Sequence, residues 1–153
     1  MTHRWIIRTL ATGAGFAPLV LRVPIGIIFA AHGAQKLFGW FGGHGLAGTG
    51  QWMESIGLAP GYLMALLAGG GEFFGGLALV TGLLVRPAGA ALAFAMLVAV
   101  FGVHIGNGLF VSAGGYEFAL SLLAASVSLA ISGAGRASLD AVLAGALDAR
   151  RVA

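Results

Sequence analysis

Residues 69–76 have the sequence GGGEFFGG and lie within an apolar run over residues 62–85 that is long enough to cross a bilayer. A carboxylate near the middle of a membrane-spanning helix costs about 3 kcal/mol on insertion scales, so it survives where it faces other helices and has a partner. Gly71 and Gly75 form a small-xxx-small pair, which lets a neighbouring helix approach closely. Because Glu72 lies beside that pair, we expect it to point into a helix bundle.

The composition is that of an integral membrane protein. Of the 153 residues, 59% are hydrophobic and 8% are charged, whereas soluble domains carry roughly 25% charged residues. The net charge of +3 does not indicate nucleic acid binding, because the eight Lys and Arg residues are scattered. They lie near span ends, where basic residues set the membrane topology. The chain has no cysteine, which excludes thiol–disulfide exchange and thiolate-bound iron–sulfur clusters by this chain alone.

The hydropathy pattern predicts an all-α fold, a transmembrane four-helix bundle in a single domain over residues 1–153. We expect spans over about residues 16–38, 61–84, 88–105 and 116–131, and a short amphipathic interfacial helix over about residues 139–150. Basic residues precede the first span, as in a signal peptide, but we expect that span to remain uncleaved. The glycine-rich connector over residues 39–60 should carry a short helix, capped by Thr49, that lies on the membrane surface or over the bundle mouth.

The distribution of positive charge predicts the orientation. Four spans put both termini on one side of the membrane, and most of the basic residues fall on that side: Arg4, Arg8, Arg86, Arg136, Arg150 and Arg151. On the opposite side Lys36 is the only Lys or Arg that the four predicted spans leave there. By the positive-inside rule, both termini are cytoplasmic.

Ionisable residues from all four spans gather towards the outer half of the predicted bundle. His32 and Lys36 end the first span, His104 ends the third, Glu117 begins the fourth, and Glu72 lies deeper, near mid-membrane. Intramembrane ionisable residues face the bundle interior or a cavity and mark functional sites by default. The sequence therefore predicts a pocket that opens outward and has Glu72 at its floor.

Several interpretations of these residues are open from the sequence. Glu72 could pair with Arg22 or His32 simply to hold the bundle together. Glu and His beside a hydrophobic pocket can instead exchange protons with a quinone ring. A third possibility is a divalent metal, since the donor types of His32, His104, Glu72 and Glu117 suit one, although the ligands would come from separate helices.

Short motifs recur in order along the chain. They are Arg22 with Gly26, His32-Gly33 with Lys36, Gly71-Glu72 with Gly75-Gly76, Thr81-Gly82 with Arg86, Tyr116-Glu117, and GAGRASLD over residues 133–140. Over about residues 17–142 this pattern resembles the DoxX family, with Ala134 in place of the proline in the family's Gly-Pro-Gly. The resemblance implies a four-helix protein of the bacterial or archaeal cytoplasmic membrane, related to the membrane subunit of a thiosulfate:quinone oxidoreductase. Some members are described as membrane partners of a superoxide dismutase and a sulfurtransferase in a thiol-stress complex.

Three functions follow as hypotheses. In the first, the chain is a membrane subunit of a quinone-linked oxidoreductase, with Glu72 and His32 catalytic; the substrate-binding residues would be Arg22, Lys36, His104 and Glu117. A membrane quinone is then the expected cofactor, and no bound metal or haem is expected. In the second, the chain is a non-catalytic scaffold that recruits soluble redox enzymes. In the third, it binds or carries a small solute or lipid, which would require a dimer. The expected partners are membrane lipid, further copies of the chain or soluble redox enzymes, and not nucleic acid.

Overall fold

The structure is a computed structural model that describes residues 15–152, with side chains up to residue 149. The predicted all-α class is confirmed, because the regular structure over these residues is helical throughout. The α-helices are α1 (Ala17–Phe38), α2 (Gly45–Ser55), α3 (Gly61–Thr81), α4 (Val85–Val98), α5 (Glu117–Ser132) and α6 (Leu139–Val152). The predictions on Arg4, Arg8 and the signal-like segment lie outside the described residues.

Three helical segments are long and apolar enough to cross a membrane. They are α1, α3 and the continuous segment Val85–Asn107, in which α4 runs on through a π-helical turn (Ala99–His104) and a 3-10 turn (Ile105–Asn107). The apolar helix α5 has 16 residues and is shorter than these three. The length and composition of these helices are those of a multi-pass membrane protein.

The helix ends follow local chemistry. Gly39 and Gly82 adopt left-handed backbone conformations (φ 73° and 72°) and terminate α1 and α3, which is a common role of glycine just after a helix. The end of α3 at Thr81 therefore precedes the predicted end at residue 84. The prediction that Thr49 caps α2 is wrong: this helix begins at Gly45, and the Thr49 hydroxyl instead donates to the carbonyl of Lys36, 3.4 Å away.

Glycines bring α1 and α3 into backbone contact. A Cβ added to Gly26 would lie 2.7 Å from the carbonyl oxygen of Gly76, and one added to Gly33 would lie 2.7 Å from that of Gly69. Gly26 and Gly33 have the same spacing as Gly69 and Gly76, so two antiparallel helices meet at two matched points. Larger side chains at these positions would push the helices apart.

The predicted contact stripe through Gly71 and Gly75 is wrong. A Cβ added to Gly71 would meet nothing within 4 Å, and one added to Gly75 would meet the side chain of Leu92 on α4, not a backbone. The stripe that touches α1 lies on a neighbouring face of α3. Glu72 shares that packed face and is 5% exposed, so the inference that it points into the bundle is confirmed.

The second close helix pair is α4 with α5. A Cβ added to Gly89 would lie 2.8 Å from the carbonyl oxygen of Ser126, which shows how near the two backbones are. The buried apolar core spans this pair and the facing sides of α1 and α3, and includes Phe29, Leu79, Leu92, Met96, Leu122 and Leu129. The bundle is therefore two tightly packed pairs joined by larger side chains, and this leaves room between the pairs.

Candidate functional site

Glu72 is paired with Lys36. Lys36 Nζ, in the last turn of α1, lies 2.5 Å from Glu72 Oε2, near the middle of α3. The Glu72 side chain is 6% exposed and that of Lys36 is 23% exposed, so the carboxylate is the deeper member of the pair. The close approach of α1 and α3 at Gly33 and Gly69 allows a pair this short between two helices. The partners considered from the sequence, Arg22 and His32, do not fill this role.

The ion pair faces a cavity of about 560 Å³ between the two helix pairs. Four ionisable side chains line it, namely His32, Lys36, Glu72 and His104. The rest of the lining is predominantly apolar and includes Phe29, Met53, Phe94, Met96, Phe118 and Leu122. A mostly apolar cavity with a few convergent polar groups is the usual form of a small-molecule site, and such sites run from about 300 to 1,000 Å³.

His32 lies one helical turn before Lys36 on α1 and is half-buried. Its ring centroid is 5.8 Å from that of Phe118 at the start of α5, with the two planes tilted by 48°. Within residues 15–152 the imidazole makes no hydrogen bond, so both ring nitrogens can serve a ligand in the cavity. This places a proton donor or acceptor beside the ion pair.

His104 reaches the cavity from α4 at the end of the π-helical turn Ala99–His104. Its Nδ1 lies 2.8 Å from the carbonyl oxygen of Gly114. Since a carbonyl oxygen only accepts hydrogen bonds, Nδ1 carries the proton and Nε2 is the acceptor in the neutral ring. π-helical turns are frequent at functional sites, where they shift the direction of the side chains that follow.

Glu117 and Arg22 lie away from this cavity, although both were predicted to bind substrate. Glu117 Oε1 accepts the N–H of Val111 at 2.6 Å, so its carboxylate holds the link that precedes α5. Arg22 is near the opposite end of α1. The structure thus brings together four of the six predicted site residues. Within the described part of the chain, no three His, Asp or Glu side chains come together as a metal-binding group.

Arg22 is 2% exposed and serves the backbone. Its Nη1 donates to the carbonyl oxygens of Leu79 (2.7 Å) and Val80 (2.6 Å) at the end of α3. Its Nε donates to that of Ala134 at 3.1 Å, and its Nη2 to that of Ala137. The guanidinium therefore binds carbonyls of the last turn of α3, where that of Leu79 also accepts the N–H of Gly82, and fastens the segment before α6.

Other polar side chains near Arg22 also bind main-chain groups at helix ends. Asp140, 1% exposed, accepts the N–H groups of Leu84 (2.7 Å) and Val85 (3.0 Å) and so caps α4. The Ser138 hydroxyl accepts the N–H of Ala141 at 3.1 Å and caps α6. Arg86 donates to carbonyls at the end of α5, including that of Ala130. The capping of α4 by Asp140 depends on tertiary structure, because the two are distant in the chain.

Sequence reasoning did not identify the residues of α2 that close the cavity. Trp52 and Met53 both line it, and Met53 is 6% exposed. The connector thus lies over the bundle mouth, the second of its two predicted placements. The apolar pair in an otherwise glycine-rich and polar helix is the signal that could have marked these residues. Phe118 also lines the cavity, and its position directly after Glu117 at the start of a span could have indicated this.

Comparison with known proteins assigns the family. The DoxX family model matches residues 17–105. This range includes α1, the cavity-covering α2, α3, α4 and the π-helical turn that ends at His104. A curated relative, "Putative oxidoreductase CatD" of Bacillus subtilis (strain 168), is 35% identical over 122 residues, which cover 80% of this chain and 83% of the relative. No solved structure matches the chain. The predicted resemblance is confirmed, and the chain belongs to the DoxX family.

Proposed function

We propose that this protein is a four-span membrane subunit of a quinone-linked oxidoreductase and that the cavity between the helix pairs is its quinone site. The observation that carries this proposal is the placement of the Lys36–Glu72 pair and two histidines against a largely apolar cavity of about 560 Å³. The proposal is also supported by the relative from Bacillus subtilis, whose name describes an oxidoreductase.

The chemistry of the lining suits a quinone head group. A quinone is a flat apolar ring with carbonyl oxygens on opposite edges, so it needs apolar walls and polar partners at separated points. Phe29, Met96 and Phe118 supply apolar walls. His32 on α1 and His104 on α4 supply hydrogen-bonding groups from two different helices. The distribution of polar groups therefore fits a ligand of this shape better than a uniformly apolar lipid chain.

The apolar wall offers a route from the lipid. Leu67 on α3 and Phe94 and Val98 on α4 line the cavity and are 60%, 69% and 39% exposed. In a membrane protein, exposed apolar side chains at this depth face acyl chains. A quinone dissolved in the bilayer can thus enter between α3 and α4, while its tail stays in lipid.

The proposed reaction moves two electrons and two protons. A bound quinone takes up both and leaves as the quinol. The electrons come from a small reduced sulfur anion, two of which are joined by a new S–S bond, or from a soluble redox partner. Glu72 and His32 carry protons to the ligand oxygens, and Lys36 holds the Glu72 carboxylate in place between transfers. His104 faces the second oxygen with Nε2, which accepts the hydroxyl of the quinol that forms there.

The topology predicted from the sequence completes the proposal. In it α5 is the fourth span, and Lys36 lies on the side opposite to Arg86 and Arg136. Both termini are then on the cytoplasmic side of a bacterial cytoplasmic membrane. There α6, whose Val142 side chain is 67% exposed, lies on the membrane surface, within reach of soluble redox enzymes or of another copy of the chain.

Bound quinone is the direct test. The protein is extracted gently with native lipid, and quinone per protein is measured by mass spectrometry for the wild type, Glu72→Gln and His32→Ala. We expect quinone in the wild type and its loss from both variants. Glu117→Gln is the matched control, because this carboxylate lies at the same end of the bundle but outside the cavity; it should retain quinone.

Equal quinone in all four folded proteins would contradict the proposed site. Absence of quinone from the wild type would instead favour the scaffold function. In that case the polar residues hold helices together, and a soluble partner should be captured through α6 by the wild type and by Glu72→Gln alike.

A further inference from the structure

A second, smaller cavity of about 300 Å³ lies beside the quinone cavity, where the linker between α1 and α2 turns. We call it the vestibule; it is lined by Gln35, Lys36, Gly42, Gly43, His44, Thr49 and Trp52. Its side chains are an amide, an ammonium group, an imidazole, a hydroxyl and an indole. The vestibule is therefore more polar than the quinone cavity, whose lining is mostly apolar.

Lys36 and Trp52 line both cavities. They form the partition between the more polar cavity and the more apolar one. The Lys36 side chain is 23% exposed, and its ammonium group reaches Glu72, which is 6% exposed and does not line the vestibule. Lys36 thus connects solvent-accessible polar surface to the buried carboxylate across one contact of 2.5 Å.

A quinone site needs such a connection to solvent as a supply of protons. Protons cannot cross the hydrocarbon that lies outside Leu67 and Phe94, because a bare charge in that medium is very costly. A site that reduces a quinone nevertheless has to take up a proton for each electron. The substrate and the protons therefore need separate entrances.

We propose that the vestibule is the aqueous entrance of the site, by which water and protons reach Glu72 past Lys36. This inference deepens the proposed function and rests on it for the use made of the protons. His44 is exposed and lines the vestibule together with Lys36. On the cavity side the groups that face the pair are His32 and His104.

The natural absence of cysteine makes the test simple, because each introduced thiol is the only one in the protein. Three single variants are made in sealed membrane vesicles: Gln35→Cys in the vestibule, Lys36→Cys in the partition and Phe94→Cys on the lipid side of the quinone cavity. Each is treated with a charged, membrane-impermeant maleimide and, separately, with a lipid-soluble maleimide.

We expect Gln35→Cys and Lys36→Cys to react with the charged reagent, and from one side of the membrane. Their reaction should be about tenfold faster or more than that of Phe94→Cys, since apolar surroundings that raise a thiol pKa by one unit lower its thiolate fraction by that factor. Phe94→Cys should react with the lipid-soluble reagent. Adding Trp52→Ala to Phe94→Cys removes part of the partition and should admit the charged reagent.

The proposal is overturned if Gln35→Cys resists the charged reagent, or if Phe94→Cys reacts with it as fast as Lys36→Cys. Gln35→Cys leaves the ion pair intact, so it decides the question even if Lys36→Cys fails to fold. The rate for Gln35→Cys does not depend on bound quinone, because Gln35 lines the vestibule and not the quinone cavity. Failure of the quinone site and failure of the vestibule are therefore told apart.

Discussion

The two ends of the bundle use their buried charged residues in opposite ways. At the Arg22 end, which comprises the start of α1, the end of α3 and residues 133–140, the buried Arg22 and Asp140 bind main-chain groups. At the Lys36 end, which comprises the end of α1, α2 and the start of α5, the pair Lys36–Glu72 faces a cavity. Burial alone therefore does not mark a functional residue in this protein. The distinction is whether the polar atoms are already used by the backbone.

The largest loss of stability is expected for Arg22→Ala. This change removes a buried donor from four carbonyl oxygens, of which that of Leu79 keeps the N–H of Gly82. Each buried group left unsatisfied costs about 1–3 kcal/mol, so the total should be roughly 4 kcal/mol or more. Thermal unfolding in detergent measures it. Arg136→Ala is the matched control, because that side chain is exposed, and it should leave the melting temperature nearly unchanged.

The Lys36–Glu72 pair should respond unequally to the loss of either member. Lys36→Met leaves a carboxylate buried without its partner, which costs about 3 kcal/mol. Glu72→Gln leaves an ammonium group that is already partly exposed and can turn to water in the vestibule, so its cost should be smaller. Chemical unfolding of both variants checks this order. A larger loss for Glu72→Gln would mean that the lysine is the more buried partner.

Gly33→Ala and Gly71→Ala separate packing from cavity lining on the same helix pair. A Cβ on Gly33 would lie 2.4 Å from the backbone nitrogen of Phe73, so α1 and α3 must move apart at a cost of about 2 kcal/mol. Gly71 has open space around it, and its alanine variant should change stability by about 0.5 kcal/mol or less. Melting temperatures of the two variants give the comparison; similar losses would contradict the packing described for α1 and α3.

A smaller loss than that of Arg22→Ala is expected at the same end for Asp140→Asn. The amide keeps one oxygen for the N–H groups of Leu84 and Val85 but loses its charge, so about 1 kcal/mol of the capping energy should disappear. The unfolding free energy measures this change. Retention of quinone should be unaffected, since Asp140 is at the far end of the bundle from the cavity.

Much of the fold could be predicted because hydrophobic runs and glycines set the helix bounds. The first span ends at residue 38 as predicted, and the second begins at Gly61. The second span was predicted to end at residue 84, but its helix ends at Thr81 because Gly82 has a left-handed backbone. The third span was predicted to start at residue 88, but its helix begins at Val85, where Asp140, distant in the chain, caps it.

The residue types of the site could be predicted better than the contacts between them. Glu72 was expected to need a partner on burial grounds, but its pairing with Lys36 depends on how α1 and α3 rotate against each other. The helical period alone did not decide between Gly71 with Gly75 and Gly69 with Gly76 as the contact face. Arg22 looked like a substrate ligand because carbonyl oxygens freed by a distant helix end leave no mark in the sequence.

Quinone content after gentle extraction tests the contrast between the two ends most directly. Quinone per protein is measured in Glu72→Gln and Asp140→Asn at a temperature where both are fully folded. If the Lys36 end binds the ligand and the Arg22 end only closes the bundle, Glu72→Gln loses quinone and Asp140→Asn keeps the wild-type amount. Retention of wild-type quinone by Glu72→Gln, or equal loss from both variants, would contradict that division of roles.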